Sequence, residues 1–153
     1  MVTSIKFKTL EWKFRETSIK YPESANMPTK KITSPKDFYD LFIPVFNEEP
    51  NEIFLVAWLN SANRVIGFEK VTSGLLNSSL VDARSVFRSA IVANCASIII
   101  AHNHPSGNPD PSNEDIAVTK KITEAGRLID IPVFDHIIFA GDNYTSFVEK
   151  ELI

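Results

Sequence analysis

Ser97-Ile98-Ile99-Ile100-Ala101-His102-Asn103-His104-Pro105-Ser106-Gly107-Asn108-Pro109-Asp110-Pro111-Ser112-Asn113-Glu114-Asp115 is the stretch on which the fold turns. Its first five residues are short, apolar and rich in β-branched side chains, and predict a buried strand. At the end of a strand, residues i and i+2 point to the same face, so His102 and His104 can converge on one ion without distorting the backbone. A Pro/Gly loop then leads to Ser112, which reads as a helix N-cap, with Asp115 three residues on completing a variant capping box. Capping and metal binding are compatible, because a serine can cap the helix and still face an ion. Two imidazoles and one carboxylate leave a fourth tetrahedral position open, as a catalytic zinc site requires. The expectation is a metal-dependent hydrolase holding one Zn2+ per chain through His102, His104 and Asp115.

The flanking segments supply the scaffold. Glu52 is followed by Ile53-Phe54-Leu55-Val56-Ala57-Trp58-Leu59, a central-strand pattern, and Arg64 to Thr72 returns as the second strand of a hairpin that Ser73-Gly74 breaks. Ser34-Pro35-Lys36-Asp37 predicts a helix start, with Phe38, Leu41, Phe42 and Val45 on one face and Pro44 loosening the last turn near Phe46. Val86, Phe87, Ala90 and Ile91 recur at helical spacing between Asp82 and Asn94, and a further helix runs from Ser112 to about Leu128. Ile131 to Ala140 and Tyr144 to Val148 read as strands around a Gly141-Asp142-Asn143 turn. Residues 2–8 alternate Lys with apolar side chains and predict an exposed strand, and 11–33 read as a meandering connection. The pattern is α/β (α+β mixed), a mixed sheet flanked by helices. It divides into a basic N-terminal arm, 1–36, and a domain, 37–153.

Length and composition narrow the function classes. At 153 residues the chain suits one domain with a sizeable core, and 44% hydrophobic with 23% charged residues excludes disorder. No signal-peptide pattern opens the sequence. Ser89 to Pro109 lacks charged residues but carries Asn94, Asn103 and two histidines, so it fails as a membrane span. Cys95 is the single cysteine, which excludes internal disulfides and a multi-cysteine zinc finger; among Ala93, Ala96 and Ile98 it reads as a small buried hydrophobe. A reducing cytoplasm is the simplest compartment. Residues 1–36 hold eight Lys/Arg against three Glu, whereas 37–153 hold eight against sixteen acidic residues. The basic arm offers a weak DNA contact, or a Lys-rich edge that discourages strand pairing.

His102-x-His104, ten intervening residues and Asp115, with serine three before that aspartate, resembles the JAMM (MPN+) metalloprotease motif. The wording His-Asn-His-Pro-Ser-Gly-x-Pro-x-Pro-Ser-x-x-Asp is similar to the bacterial RadC branch, as are Asp135-His136-Ile137-Ile138 and Tyr144-Thr145-Ser146-Phe147 with Glu149. The resemblance covers about residues 40 to 153. RadC proteins usually carry a helix-hairpin-helix region ahead of this domain, and the 35 or so residues here read instead as leading into a stand-alone domain. The resemblance implies a cytidine deaminase-like three-layer fold and cleavage of an amide or isopeptide bond.

Glu52 is the candidate general base. It stands at the mouth of an apolar strand, where partial desolvation raises basicity, and JAMM proteins place the catalytic glutamate immediately before such a strand. Glu48, Glu49 and Glu69 compete, and spacing does not separate them. Ser112 is expected to donate a hydrogen bond to the oxyanion of a tetrahedral intermediate. His136 reads as a core histidine or a support to a ligand, since the three ligand places are already filled. Two function classes follow: a zinc metallopeptidase acting on a peptide or protein, and a RadC-like DNA-transaction protein that binds or processes nucleic acid.

Overall fold

The computed structural model describes residues 3–23, 27–73 and 81–153. Helix α1 (Pro35–Asn47) starts where the sequence places it. The Ser34 hydroxyl accepts from the Asp37 N–H, and Asp37 Oδ2 accepts from the Ser34 N–H at 2.9 Å. Pro44 sits inside this helix without ending it. The hairpin of β1 (Ile53–Leu59) and β2 (Val65–Ser73) follows; the expected break falls partly on Gly74, outside the described residues. Helix α2 (Ala83–Val92) is capped by Asp82, whose carboxylate accepts from the Ser85 N–H at 2.7 Å. Then come β3 (Ser97–Asn103), α3 (Asn113–Leu128), β4 (Val133–Ala140) and β5 (Asn143–Ser146).

The strands form one mixed sheet in the order β2-β1-β3-β4-β5, and only β3 and β4 run parallel. Helix α3 is the crossover that this parallel pair needs. Phe54, Val56 and Trp58 of β1 face α2 and α3, packing with Val86, Phe87 and Ile122, while Leu55, Ala57 and Leu59 face α1 and meet Phe38, Leu41 and Phe42. Both faces of β1 are therefore covered, which is why it reads as an unbroken apolar run and not as an alternation. Each fully buried phenylalanine or leucine of these layers contributes about 1.5–3 kcal/mol. Gly126 lets α3 turn into β4: a Cβ there would lie 2.5 Å from the Ile131 carbonyl oxygen.

The expected N-terminal strand is absent among the described residues. Residues 3–20 carry no strand, and Ile5 and Phe7 are 77% and 86% exposed. Alternation alone does not make a strand, because an extended segment needs a neighbour for its N–H and C=O groups. Further along, Lys31 forms an isolated bridge with Arg64, and Ile19, Tyr21 and Ile32 pack against the α1 side of the core. No helix among the described residues is long and apolar enough to cross a membrane.

Candidate metal centre

The parallel pair ends at the mouth of a crevice beside the N-terminus of α3. His102 is the penultimate residue of β3, flanked by Phe54 of β1 and Ile138 of β4, and only 1% exposed. His104 lies just beyond the strand, held in line by its N–H donating to the Phe139 carbonyl at 2.7 Å. Their side chains meet as the i, i+2 spacing requires, with the two Nε2 atoms 3.0 Å apart. Asp115, in the first turn of α3, brings Oδ1 to 3.2 Å from His102 Nε2 and Oδ2 to 3.4 Å from His104 Nε2. The Ser112 hydroxyl donates to Asp115 Oδ2 at 2.7 Å, and the Ser112 N–H donates to the same oxygen at 2.8 Å. Burial pushes the Asp115 carboxyl up, but the neighbouring imidazoles of His102 and His104 and the Ser112 hydroxyl outweigh it and hold the group well below the usual carboxylate range.

Glu52 closes the group. Glu52, His102 and His104 each offer a ligand atom within 4.8 Å of the others, so this group can hold a metal ion. Of its competitors, Glu49 pairs with Lys70 while lining a groove beside His104, Glu69 pairs with Arg88 at 3.3 Å, and Glu48 is exposed at the end of α1. Asn103, whose residue number falls between the two histidines, points to the backbone around Glu52. Its Oδ1 accepts from the Ile53 N–H at 2.8 Å and its Nδ2 donates to the Asn51 carbonyl at 3.1 Å.

The hydrogen bonds behind the imidazoles decide what their front nitrogens can do. Thr119 donates to the Asp115 carbonyl oxygen at 2.6 Å, since a carbonyl only accepts. Its hydroxyl oxygen is then the acceptor for His136 Nδ1–H, also at 2.6 Å. His136 is fully buried, and desolvation first, with the neighbouring His102 next, pulls its pKa well below the ordinary histidine value. A neutral His136 with Nδ1–H has a lone pair on Nε2, which accepts from His102 Nδ1–H at 2.7 Å. In a neutral His102 this leaves Nε2 bare. His104 Nδ1 lies 2.7 Å from the Asn108 carbonyl and donates to it, so a neutral His104 also presents a bare Nε2.

Two lone pairs and a carboxylate thus face one another at 3.0–3.4 Å with no donor between them. Such a cluster calls for a cation. A proton meets that need in part, and the His104 pKa is raised, chiefly by its hydrogen bond to Asp115. Neutral imidazoles with a hard carboxylate are equally the donor set of a divalent transition metal.

The loop from His104 to Ser112 is held in place by Thr145, whose hydroxyl donates to the Pro109 carbonyl at 2.7 Å. Asp135 fastens β4 to the end of β5, accepting from the Ser146 hydroxyl at 2.6 Å and the Val148 N–H at 3.1 Å; burial raises its pKa. Beside His104 a groove of about 260 Å³ opens toward α1, with Phe46 and Phe139 among its apolar walls and Asn47, Asn103 and Ser106 among its polar ones. Cys95 is half-buried and away from these residues, and burial pushes its thiol up, as suits a packing role.

A mixed sheet that carries a His/Glu/His group able to hold a metal, at the end of a parallel strand pair, defines the class. The family follows from comparison: the RadC-like JAB domain matches residues 32–152, and the chain belongs to that family. Among its relatives, the UPF0758 protein of Methanosarcina mazei is 44% identical over 126 residues, 82% of this chain and 55% of the relative. The UPF0758 protein of Salinibacter ruber is 46% identical over 123 residues, 80% of this chain and 53% of its own. That of Clostridium beijerinckii is 48% identical over 123 residues, covering 80% and 54%. This chain spans a little over half the length of these relatives.

Sequence reasoning missed Thr119 and Asn103. Thr119 carries a local signal, since four residues after Asp115 it lies on the same face of α3. Asn103 carries none, because its partners are some fifty residues away in sequence.

Proposed function

We propose that this chain is a zinc-dependent hydrolase of the JAMM type, a metallopeptidase cleaving a peptide or isopeptide bond of a protein substrate. His102, His104 and Asp115 are its ligands for one Zn2+ per chain. The observation that carries this reading is the convergence of His102 Nε2, His104 Nε2 and the Asp115 carboxylate within 3.0–3.4 Å, which with neutral imidazoles leaves three acceptors without a donor between them. When bound, zinc supplies a Lewis acid and a water acidic enough to react near neutral pH.

The chain's own residues do the remaining work. Glu52 borders the same point without being needed as a ligand, and takes up and returns a proton. The Ser112 hydroxyl serves as the oxyanion donor by turning from Asp115 Oδ2, an oxygen that keeps the Ser112 N–H as a donor when it does so. The groove beside His104, lined by both apolar and polar side chains, suits an extended peptide and orients it against the ion.

The test begins with elemental analysis. The purified protein carries one zinc per chain, and replacing both His102 and His104 by Ala removes it while the sheet and helices persist, because the two core layers do not depend on the ion. Stoichiometric zinc in the double mutant overturns the ligand set. Cleavage of peptide and isopeptide substrates, lost in the same mutant, then tests the bond class.

A second reading, a RadC-like protein that binds or processes nucleic acid, draws on the exposure of Lys6, Lys8, Lys13 and Arg15 along the arm. Metal-dependent nicking of DNA that Glu52→Gln abolishes would select it over the peptidase.

A further inference from the structure

Behind the candidate ligands, a closed circuit runs from His102 through His136 and Thr119 back to the main chain of Asp115. His102 and His136 stand on neighbouring parallel strands, and Thr119 and Asp115 on the helix that connects them. His136 and Thr119 are both fully buried, so no solvent substitutes for a missing partner. Phe147 stacks on the His136 ring with centroids 4.5 Å apart, and Phe54 meets it edge-on at 5.7 Å, which fixes the plane of the imidazole.

A chain of hydrogen bonds through neutral imidazoles has two settings. In the one defined above, each ring holds its proton on Nδ1 and His102 presents a bare Nε2. In the reverse, His136 carries its proton on Nε2, His102 accepts at Nδ1, and the His102 Nε2–H points where the metal belongs. The groups around the rings choose between them. The Asp115 carbonyl can only accept, so it takes the Thr119 proton, leaves the Thr119 oxygen as an acceptor, and forces the first setting along the whole chain.

We propose that Thr119 is a positioning residue that sets the metal affinity of the site: acting through His136, it holds His102 in the one tautomer able to bind an ion through Nε2. This rests on the metal-centre reading above and adds to it a residue that touches neither ion nor substrate. It makes a three-residue relay, not the metal ligands alone, responsible for how tightly the ion is held. Losing such an outer partner typically costs about 10–100-fold in metal affinity.

The test uses the full chain with zinc as the probe, in competition with a chromophoric chelator. Thr119→Val keeps the shape and removes the hydroxyl, and Thr119→Ser keeps the hydroxyl and loses only a methyl. The expected result is tight zinc binding by the parent chain, a drop of about 10-fold or more in Thr119→Val, and near-parent affinity in Thr119→Ser. Equal affinity in Thr119→Val and the parent overturns the proposal, as does an equal loss in both variants, which would mean packing and not the hydroxyl. Nitrogen-15 NMR of the metal-free parent chain gives a readout that needs no variant to fold: His102 and His136 are expected with the proton on Nδ1, and a proton on His102 Nε2 overturns the relay. Failure of the parent chain to bind zinc at all counts against the metal-centre reading itself, and the NMR result still decides the relay.

Discussion

The Asn103 carboxamide and the Ile53 backbone are joined by a 2.8 Å hydrogen bond that ties the end of β3 to the start of β1, one residue from Glu52. The second arm of the same carboxamide holds the Asn51 carbonyl at 3.1 Å, so the main chain on both sides of Glu52 is fixed by one buried side chain. The residue between the two histidines thus places the carboxylate while the histidines face the crevice. Asn103→Leu removes both bonds at similar volume and leaves buried backbone groups unpaired, at a cost of about 1–3 kcal/mol. Chemical denaturation measures that loss. Metal content should stay at the parent value, since both imidazoles remain, and hydrolysis should fall because Glu52 is no longer held.

Glu52→Gln separates a proton-transfer role from a ligand role. The expected variant keeps its metal and loses about 10²–10⁴-fold in hydrolytic rate, the usual contribution of a general acid–base group. Paired elemental analysis and kinetics read it. Zinc lost in step with activity makes Glu52 a ligand or a prop, a real alternative because Glu52 joins both histidines in the group able to hold a metal. Full activity redirects attention to Glu48, Glu49 or Glu69, two of which the structure places in ion pairs with Lys70 and Arg88.

Two Ser-x-x-Asp pairs form capping boxes in this chain, and they show what sequence can and cannot distinguish. Ser34 with Asp37 and Ser112 with Asp115 fold into the same reciprocal capping box. In the second copy alone, the carboxylate also meets two imidazoles. The difference lies in β3, whose His-x-His was legible because period-2 geometry is local. The helices, strands and the meeting of the two histidines were readable for the same reason: caps, apolar runs and i, i+2 spacing act over a few residues. His136 could be placed in a strand but not against His102, because that contact depends on the parallel register of β3 and β4. The N-terminal alternation misled, since a strand exists only with a partner and sequence pattern does not supply one.

The first of these boxes makes a pH prediction away from the His102–His104 cluster. Asp37 is held below the ordinary carboxylate range, first by the Thr33 hydroxyl and then by the Thr33 N–H, with burial opposing them and Ser34 adding a lesser lowering. A carboxyl with a lowered folded-state pKa stabilises the fold above its unfolded value near 4. That contribution disappears as pH falls through the lower, folded value. Asp37→Asn should therefore lose about 1 kcal/mol at neutral pH, the typical worth of a cap. Its stability should also fall less steeply than that of the parent below about pH 4. Denaturation midpoints at pH 7 and pH 3 check both. A parent and variant with parallel acid limbs would remove Asp37 from the acid response.

The basic arm decides between a protein and a nucleic-acid partner. Lys6, Lys8, Lys30 and Lys31 are exposed, whereas the body after residue 36 has twice as many acidic as basic residues. An acidic body repels phosphates, so any DNA contact should reside in the arm and be weak. If all four lysines engage phosphates, counterion release predicts about a 10²-fold loss of affinity between 50 and 200 mM salt. Fluorescence anisotropy with single-stranded and branched DNA measures the slope, and charge reversal at the four lysines should abolish binding with zinc content unchanged. Peptide hydrolysis should ignore those reversals and depend on His102, His104, Asp115 and Glu52, because the crevice and the arm carry separate chemistries. Tight DNA binding at near-physiological salt would reverse this assignment, since four screened surface charges cannot supply it and a dedicated nucleic-acid groove would have to.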